Sequence, residues 1–146
     1  MSDYSPTPSQ KEAIETHGGT VLVSAGAGSG KTKVLTERLM KAVLDRDTPK
    51  DINRFVVITF TNASAAELMS RITEELSRAE AALAEEEAVS PAFLTHVRRQ
   101  QALCQKAQIG TIHHFCANLL REYGHLIGLP SDFRIVSDDL ALSMKE

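Results

Sequence analysis

The octapeptide AGAGSGKT, Ala25 to Thr32, places three glycines, a lysine and a hydroxyl side chain within eight residues. These are the residue types needed to hold a polyphosphate. Gly26, Gly28 and Gly30 admit backbone conformations that a Cβ would forbid, so successive N–H groups can turn inward as an anion nest. Ala27 and Ser29 are the small residues between them. A helix beginning near Lys31 would add the positive end of its dipole. Lys31 would supply a point charge to the β- and γ-phosphates, and the Thr32 hydroxyl is placed to ligate Mg²⁺. The pattern is a Walker A loop with Ala25 in the first position, where the strict form has glycine. It predicts nucleoside triphosphate binding in a P-loop fold. Alone it does not separate an ATPase from a kinase or a GTPase, although a GTPase base-specificity motif such as NKxD is absent from the sequence.

Two further clusters could do chemistry. Thr59, Phe60, Thr61 and Asn62 follow the apolar run FVVI. Hydroxyls, an amide and an aromatic at a strand's carboxyl end suit single-stranded nucleic acid, with polar groups for phosphates and Phe60 for stacking on a base. The same residues also read as a buried Phe beside a helix N-cap. TIHHF, Thr111 to Phe115, is a similar cluster with two histidines, His113 and His114, which also reads as a pair of ordinary loop histidines.

The elements that must position these residues follow from periodicity. Residues 1–6 read as a loose tail. Thr7 is placed as an N-cap, with Pro8 at the first helical position and Gln10 at capping-box spacing. Thr20–Ser24 and Arg54–Phe60 read as short buried strands, Ala107–Ile112 as a third and FRIVS as a fourth. A helix is expected from about Lys31 to Leu44. Another carries Ala65, Leu68, Met69, Ile72 and Leu76 on one face, its start marked by Ser64 and Glu67. An alanine-rich helical stretch and a restart at Ser90-Pro91 give a helical insertion at about residues 75–106. Phe115, Cys116, Leu119, Leu120 and Tyr123 form a last stripe. The α/β alternation predicts a mostly parallel sheet with helices on both faces and ligands beyond the carboxyl ends of its strands.

The chain has 146 residues and a formal net charge of −3, so any nucleic-acid binding must come from a local surface. Two cysteines, without CxxC or Cys/His spacing, argue against a disulfide framework or zinc site and for a reducing compartment. With no signal-peptide pattern and no apolar segment of roughly 20 residues, a cytoplasmic location is expected.

TPSQ, VSAGAGSGKTKVLTERL, VVITFTNASAAELMSRI and IGTIHHFCANLLREYGHLIGLPSDFRI, in this order, resemble the UvrD/Rep class of superfamily 1 DNA helicases. Within that class the pattern is most similar to the AddA (RecB-like) subunits of bacterial helicase–nuclease complexes. The resemblance implies a RecA-like ATP-binding domain over residues 7–136. It implies ATP and Mg²⁺ as cofactors and a role as a 3′-to-5′ translocase in double-strand-break repair. DNA and a second, AddB-like subunit would be partners. By resemblance Gln10 reads adenine, residues 25–32 are the phosphate loop, Thr59 to Asn62 contact single-stranded DNA, and Thr111 and His113 belong to the next DNA motif. Lys33 stands where many relatives carry an arginine beside the adenine ring, and lysine stacks less well on a π face.

The class also uses an acidic Walker B pair, a glutamine sensor and arginines from a second RecA-like domain. Asp138 and Asp139 lack that setting and read as the start of a helix within residues 137–146. The resemblance therefore implies the leading part of a first motor domain, cut before its Walker B strand and with an incomplete sheet. Two alternatives stay open: a nucleotide- and single-strand-binding module without turnover, and a plain UvrD/Rep-type helicase without nuclease.

Overall fold

The computed structural model describes residues 5–26, 28–130 and 132–136. Helix α1, Pro8–Glu15, begins as its sequence dictates. The Thr7 hydroxyl accepts from the Gln10 backbone N–H at 3.3 Å, and the Thr7 N–H donates to Gln10 Oε1 at 2.8 Å. This reciprocal pair satisfies two of the donors that a helix start leaves open. α1 lies along helix α2, Lys31–Val43, through a small apolar cluster of Ala13, Ile14 and Val34. The Arg38 guanidinium donates to the Ala13 carbonyl, and Lys41 meets Glu15 at 3.5 Å.

The main core is built by α2, strand β1 (Val56–Thr59), helix α3 (Asn62–Ala84) and helix α4 (Pro91–Cys104). Leu68, Ile72 and Leu76 of α3 are buried against Leu39, Met40 and Val43 of α2, Val57 of β1 and Cys104 of α4. Each such aliphatic side chain contributes about 1.5–3 kcal/mol on leaving water. Burial also pushes the Cys104 thiol above its ordinary range, which keeps it in the unreactive protonated form. The α3 stripe is the one its periodicity predicts. The start of α3 differs: Thr61, not Ser64, is the N-cap, its hydroxyl accepting from the Ser64 N–H at 3.1 Å. β1 ends at Thr59, and Thr61 still has extended backbone (φ −130°, ψ 152°), so the helix opens three residues earlier than the Ser64–Glu67 spacing suggests.

Gln100 holds α4 in place. It is fully buried, its Oε1 accepting from the Ile52 N–H at 2.8 Å and its Nε2 donating to Asp51 Oδ1 at 2.9 Å. The Arg99 guanidinium donates to the same carboxylate, and His96 Nε2 lies 3.0 Å from the Val43 carbonyl. Near the far end of α3, Glu80 accepts from Arg98 and Gln101, each at 2.8 Å. α3 runs unbroken through residue 75, where the sequence pattern suggests an insertion begins.

β2, Gln108–Thr111, pairs parallel to β1 with Val56 opposite Gln108 and Thr59 opposite Thr111. Helix α5, Ile112–Tyr123, follows at once. The parallel pair joined by a helical crossover bears out the α/β expectation, but the wider sheet is not present among the described residues. Val57 and Ile109 face the core, whereas Val56 and Ile58 on the opposite side are 53% and 48% exposed. Among the described residues α5 reaches that opposite side over β2, where Asn118 Nδ2 donates to Gln108 Oε1 at 3.4 Å and the His114 ring lies against Gly110, so the second face is covered only in part. Thr20–Ser24 is irregular, and Leu22 is 92% exposed. β-branched residues favour a strand only where a neighbour completes the ladder, and no described segment lies beside this one in a sheet. For the same reason Phe133–Val136 is not a strand. The α5 stripe is also uncovered: Ala117 is its buried residue, while Leu119, Leu120 and Tyr123 stand exposed. The expected helix around Asp138 and Asp139 falls in residues 137–146, outside the described residues.

Candidate functional site

The loop from Ala25 to Gly30 joins the irregular 20–24 segment to α2. Gly28 and Gly30 take left-handed backbone with φ of 75° and 84°, so the glycines at these two positions are required by the turn. Gly30 is the N-cap of α2, and the Val34 N–H donates to its carbonyl at 2.9 Å. A second constraint acts there, because a Cβ on Gly30 would lie 3.3 Å from Gln10 Nε2. Ala27, expected in the same loop, lies outside the described residues.

The Lys31 ammonium curls back over this loop. It donates to the carbonyls of Ala25 and Gly26, the latter at 2.6 Å, and the Ser29 hydroxyl also donates to the Gly26 carbonyl at 2.7 Å. A cation satisfied by two exposed carbonyls can exchange them for phosphate oxygens at little cost, because water solvates the carbonyls once they are released. Gln10 reaches the same loop across 19 positions of sequence: its Nε2 donates to the Ser29 carbonyl at 3.0 Å. Gln10, Ala25, Ser29 and Lys31 line one cavity of about 300 Å³, closed on its inner side by Ala13, Val23 and Val34. Helix α1 thereby delivers a carboxamide to the edge of the glycine-rich loop. Thr32 follows in the first turn of α2, and its carbonyl accepts from the Thr36 hydroxyl at 2.9 Å. Lys33 is not part of that cavity. It lines a larger cleft of about 730 Å³ between α2 and α3, with Glu37, Glu67 and Arg71 among its neighbours.

The other expected residues gather at the carboxyl end of the two strands. The parallel register sets Thr59 beside Thr111, and the Thr59 hydroxyl donates to the Thr61 carbonyl at 3.0 Å. Thr61 and Thr111 are matching N-caps, the Thr111 hydroxyl accepting from the His114 N–H at 3.3 Å. Two helices therefore start side by side at this edge, with Asn62 and His113 in their first turns. Just before the first of them, the Phe60 ring is fully exposed at 104%. Of its two readings, the buried one is overturned.

A model of the UvrD/REP helicase N-terminal domain matches residues 6–145. The chain belongs to this helicase family. Curated relatives of this chain include the A subunit of the ATP-dependent helicase/nuclease from Anoxybacillus flavithermus, 45% identical over 140 residues. Similar proteins of the same name are those of Bacillus licheniformis, 47% identical over 129 residues, and Desulfitobacterium hafniense, 45% identical over 138 residues. These alignments cover 96%, 88% and 94% of this chain and 11%, 10% and 10% of the respective relatives. The chain thus spans about a tenth of the length of the curated relatives it matches. Among the described residues, no helix is long and apolar enough to cross a membrane.

Sequence reasoning missed Arg38, whose bond to the Ala13 carbonyl ties α1 to α2 and so sets the position of Gln10. Its only signal is weak: Arg38 lies seven residues after Lys31, two helical turns along the same face.

Proposed function

We propose that this chain is the nucleotide-binding portion of a P-loop, RecA-like motor domain, and that its parent is an ATP-dependent, AddA-like helicase–nuclease that works on DNA. The observation that carries the reading is the convergence of Gln10, Ser29 and Lys31 on one cavity. A carboxamide and an ammonium on opposite parts of a glycine cradle suit the base and the phosphates of one nucleotide. The residues fit ATP: Gly30 holds the left-handed turn ahead of the helix, and Lys31 already holds two oxygens where phosphate oxygens would come. Gln10 and residues 25–32 would hold the nucleotide, and Thr32 would supply a hydroxyl to Mg²⁺. ATP supplies the free energy of phosphoryl transfer when bound. Lys31 would bind and orient the phosphates, and the loop amides would receive their charge.

ATP in hundredfold excess over its Kd is expected to raise the melting temperature by about 5–10 °C. GTP is expected to do much less, because a carboxamide that pairs with adenine's donor and acceptor mismatches guanine. Equal shifts in a thermal melt would remove Gln10 from base recognition.

The strand-end cluster supports DNA as the second ligand. Exposed Phe60, flanked in sequence by Thr59 and Thr61, offers a stacking face beside hydroxyls. Phe60→Ala is expected to weaken single-stranded DNA binding about fivefold to a hundredfold, since one base–aromatic stack contributes about 1–3 kcal/mol. The binding itself should weaken with added salt. Fluorescence anisotropy with a labelled oligonucleotide checks this, and unchanged affinity in the variant would contradict it.

A further inference from the structure

Gln10 is bonded to the peptide that would build the cradle. Its Nε2 donates to the Ser29 carbonyl, and its Oε1 anchors the start of α1 on the Thr7 N–H. A trans peptide is planar, with its carbonyl and its N–H pointing to opposite sides. Holding the Ser29 carbonyl toward α1 therefore turns the Gly30 N–H away from α1. Gly30 in its left-handed conformation (φ 84°) has little preference of its own, because glycine populates both signs of φ. The orientation of this peptide is left to whatever grips its oxygen. α1 can act as a fixed base for that grip, since the Arg38 bond to Ala13 and the Ala13, Ile14 and Val34 cluster dock it on α2.

From this geometry we infer that Gln10 is a positioning residue for the phosphate cradle, aligning the Ser29–Gly30 peptide so that the Gly30 N–H serves as a phosphate donor. The inference rests on the nucleotide-binding reading above and extends it, because it assigns Gln10 a role in binding triphosphate that needs no base. The cradle is built partly by a residue of another helix. Adenine recognition and phosphate recognition are then coupled through one carboxamide.

The experiment measures, by calorimetry on the full chain, the affinity for inorganic tripolyphosphate with Mg²⁺, and for ATP and GTP in parallel. Gln10→Met keeps the side chain's length and removes both amide functions. It should weaken tripolyphosphate binding about fivefold, the value of one net hydrogen bond. Gln10→Asn keeps the amide but shortens its reach by one methylene, and should give a similar loss. Thr7→Ala removes the hydroxyl cap of α1 while leaving the carboxamide, and should leave tripolyphosphate affinity within twofold of wild type. Far-UV circular dichroism and urea melts establish that each variant is folded.

Gln10→Met that loses preference for ATP over GTP with tripolyphosphate affinity unchanged would overturn the positioning role and leave base reading intact. Losses of equal size in Thr7→Ala and Gln10→Met would overturn it in favour of a generally weakened α1. Wild-type chain that binds neither tripolyphosphate nor ATP would remove the nucleotide reading itself, and the positioning role with it.

Discussion

Gln100→Leu is expected to cost about 2–4 kcal/mol of stability, enough to unfold a large share of a marginal domain. The side chain is fully buried and answers two needs at once. Its removal leaves the Ile52 N–H without the oxygen that now accepts from it at 2.8 Å, beside an Ile52 side chain that is itself fully buried. An unsatisfied buried donor costs about 1–3 kcal/mol. The bond from Nε2 to Asp51 also goes, and a hydrogen bond to a charged acceptor contributes about 1.5–3 kcal/mol. The two losses share one network and will not add fully. Urea titration checks the result: the midpoint should fall with an unchanged slope. A midpoint within error of wild type would show that α4 is held by its apolar face alone.

The same network sets a pH dependence. The Gln100 hydrogen bond, followed by that of Arg99, holds the Asp51 carboxyl below the usual carboxylate range, against the opposing effect of burial. A group with a depressed folded pKa stabilises the fold above its unfolded pKa, about 3.9 for aspartate. That contribution falls away as pH drops from the region of the unfolded value through the lower folded one. Wild type should therefore lose stability on acidification across this window, and Gln100→Leu should lose less over the same window.

Helices in this chain were legible because their signals are local. The Thr7, Pro8 and Gln10 start, the α3 stripe and the Ser90-Pro91 restart each reside within a few turns of chain, and the structure has them all. Strands depend on a partner elsewhere. Val56–Thr59 finds one in Gln108–Thr111, whereas the similar run at Thr20–Ser24 finds none among the described residues. The glycine turn before α2 was legible for a related reason, since Gly28 and Gly30 supply the left-handed backbone it needs. What joins it to the rest of the molecule was not. Gln10 to Ser29, Arg38 to Ala13 and Gln100 to Ile52 are long-range side-chain bonds to backbone, and each comes from a residue type that pattern reading assigns to the surface. Phe60 shows the converse, an aromatic that composition places inside as readily as outside and that the structure leaves in solvent.

Lys31→Ala is expected to weaken ATP binding about tenfold to a hundredfold while leaving the melting temperature of the nucleotide-free chain nearly unchanged. Charge-assisted bonds to phosphate contribute about 1.5–3 kcal/mol, whereas the two carbonyls that Lys31 now holds lie on an exposed loop and turn to water when it is removed. Amide hydrogen exchange is the most direct measurement of whether the glycine loop and this lysine grip a triphosphate. With saturating ATP and Mg²⁺, exchange at Gly28, Ser29, Gly30, Lys31 and Thr32 should slow markedly in wild type, and should not slow at the same ligand concentration in Lys31→Ala. Loop amides that exchange at the same rate with and without nucleotide, in a chain that binds it, would put the triphosphate somewhere else.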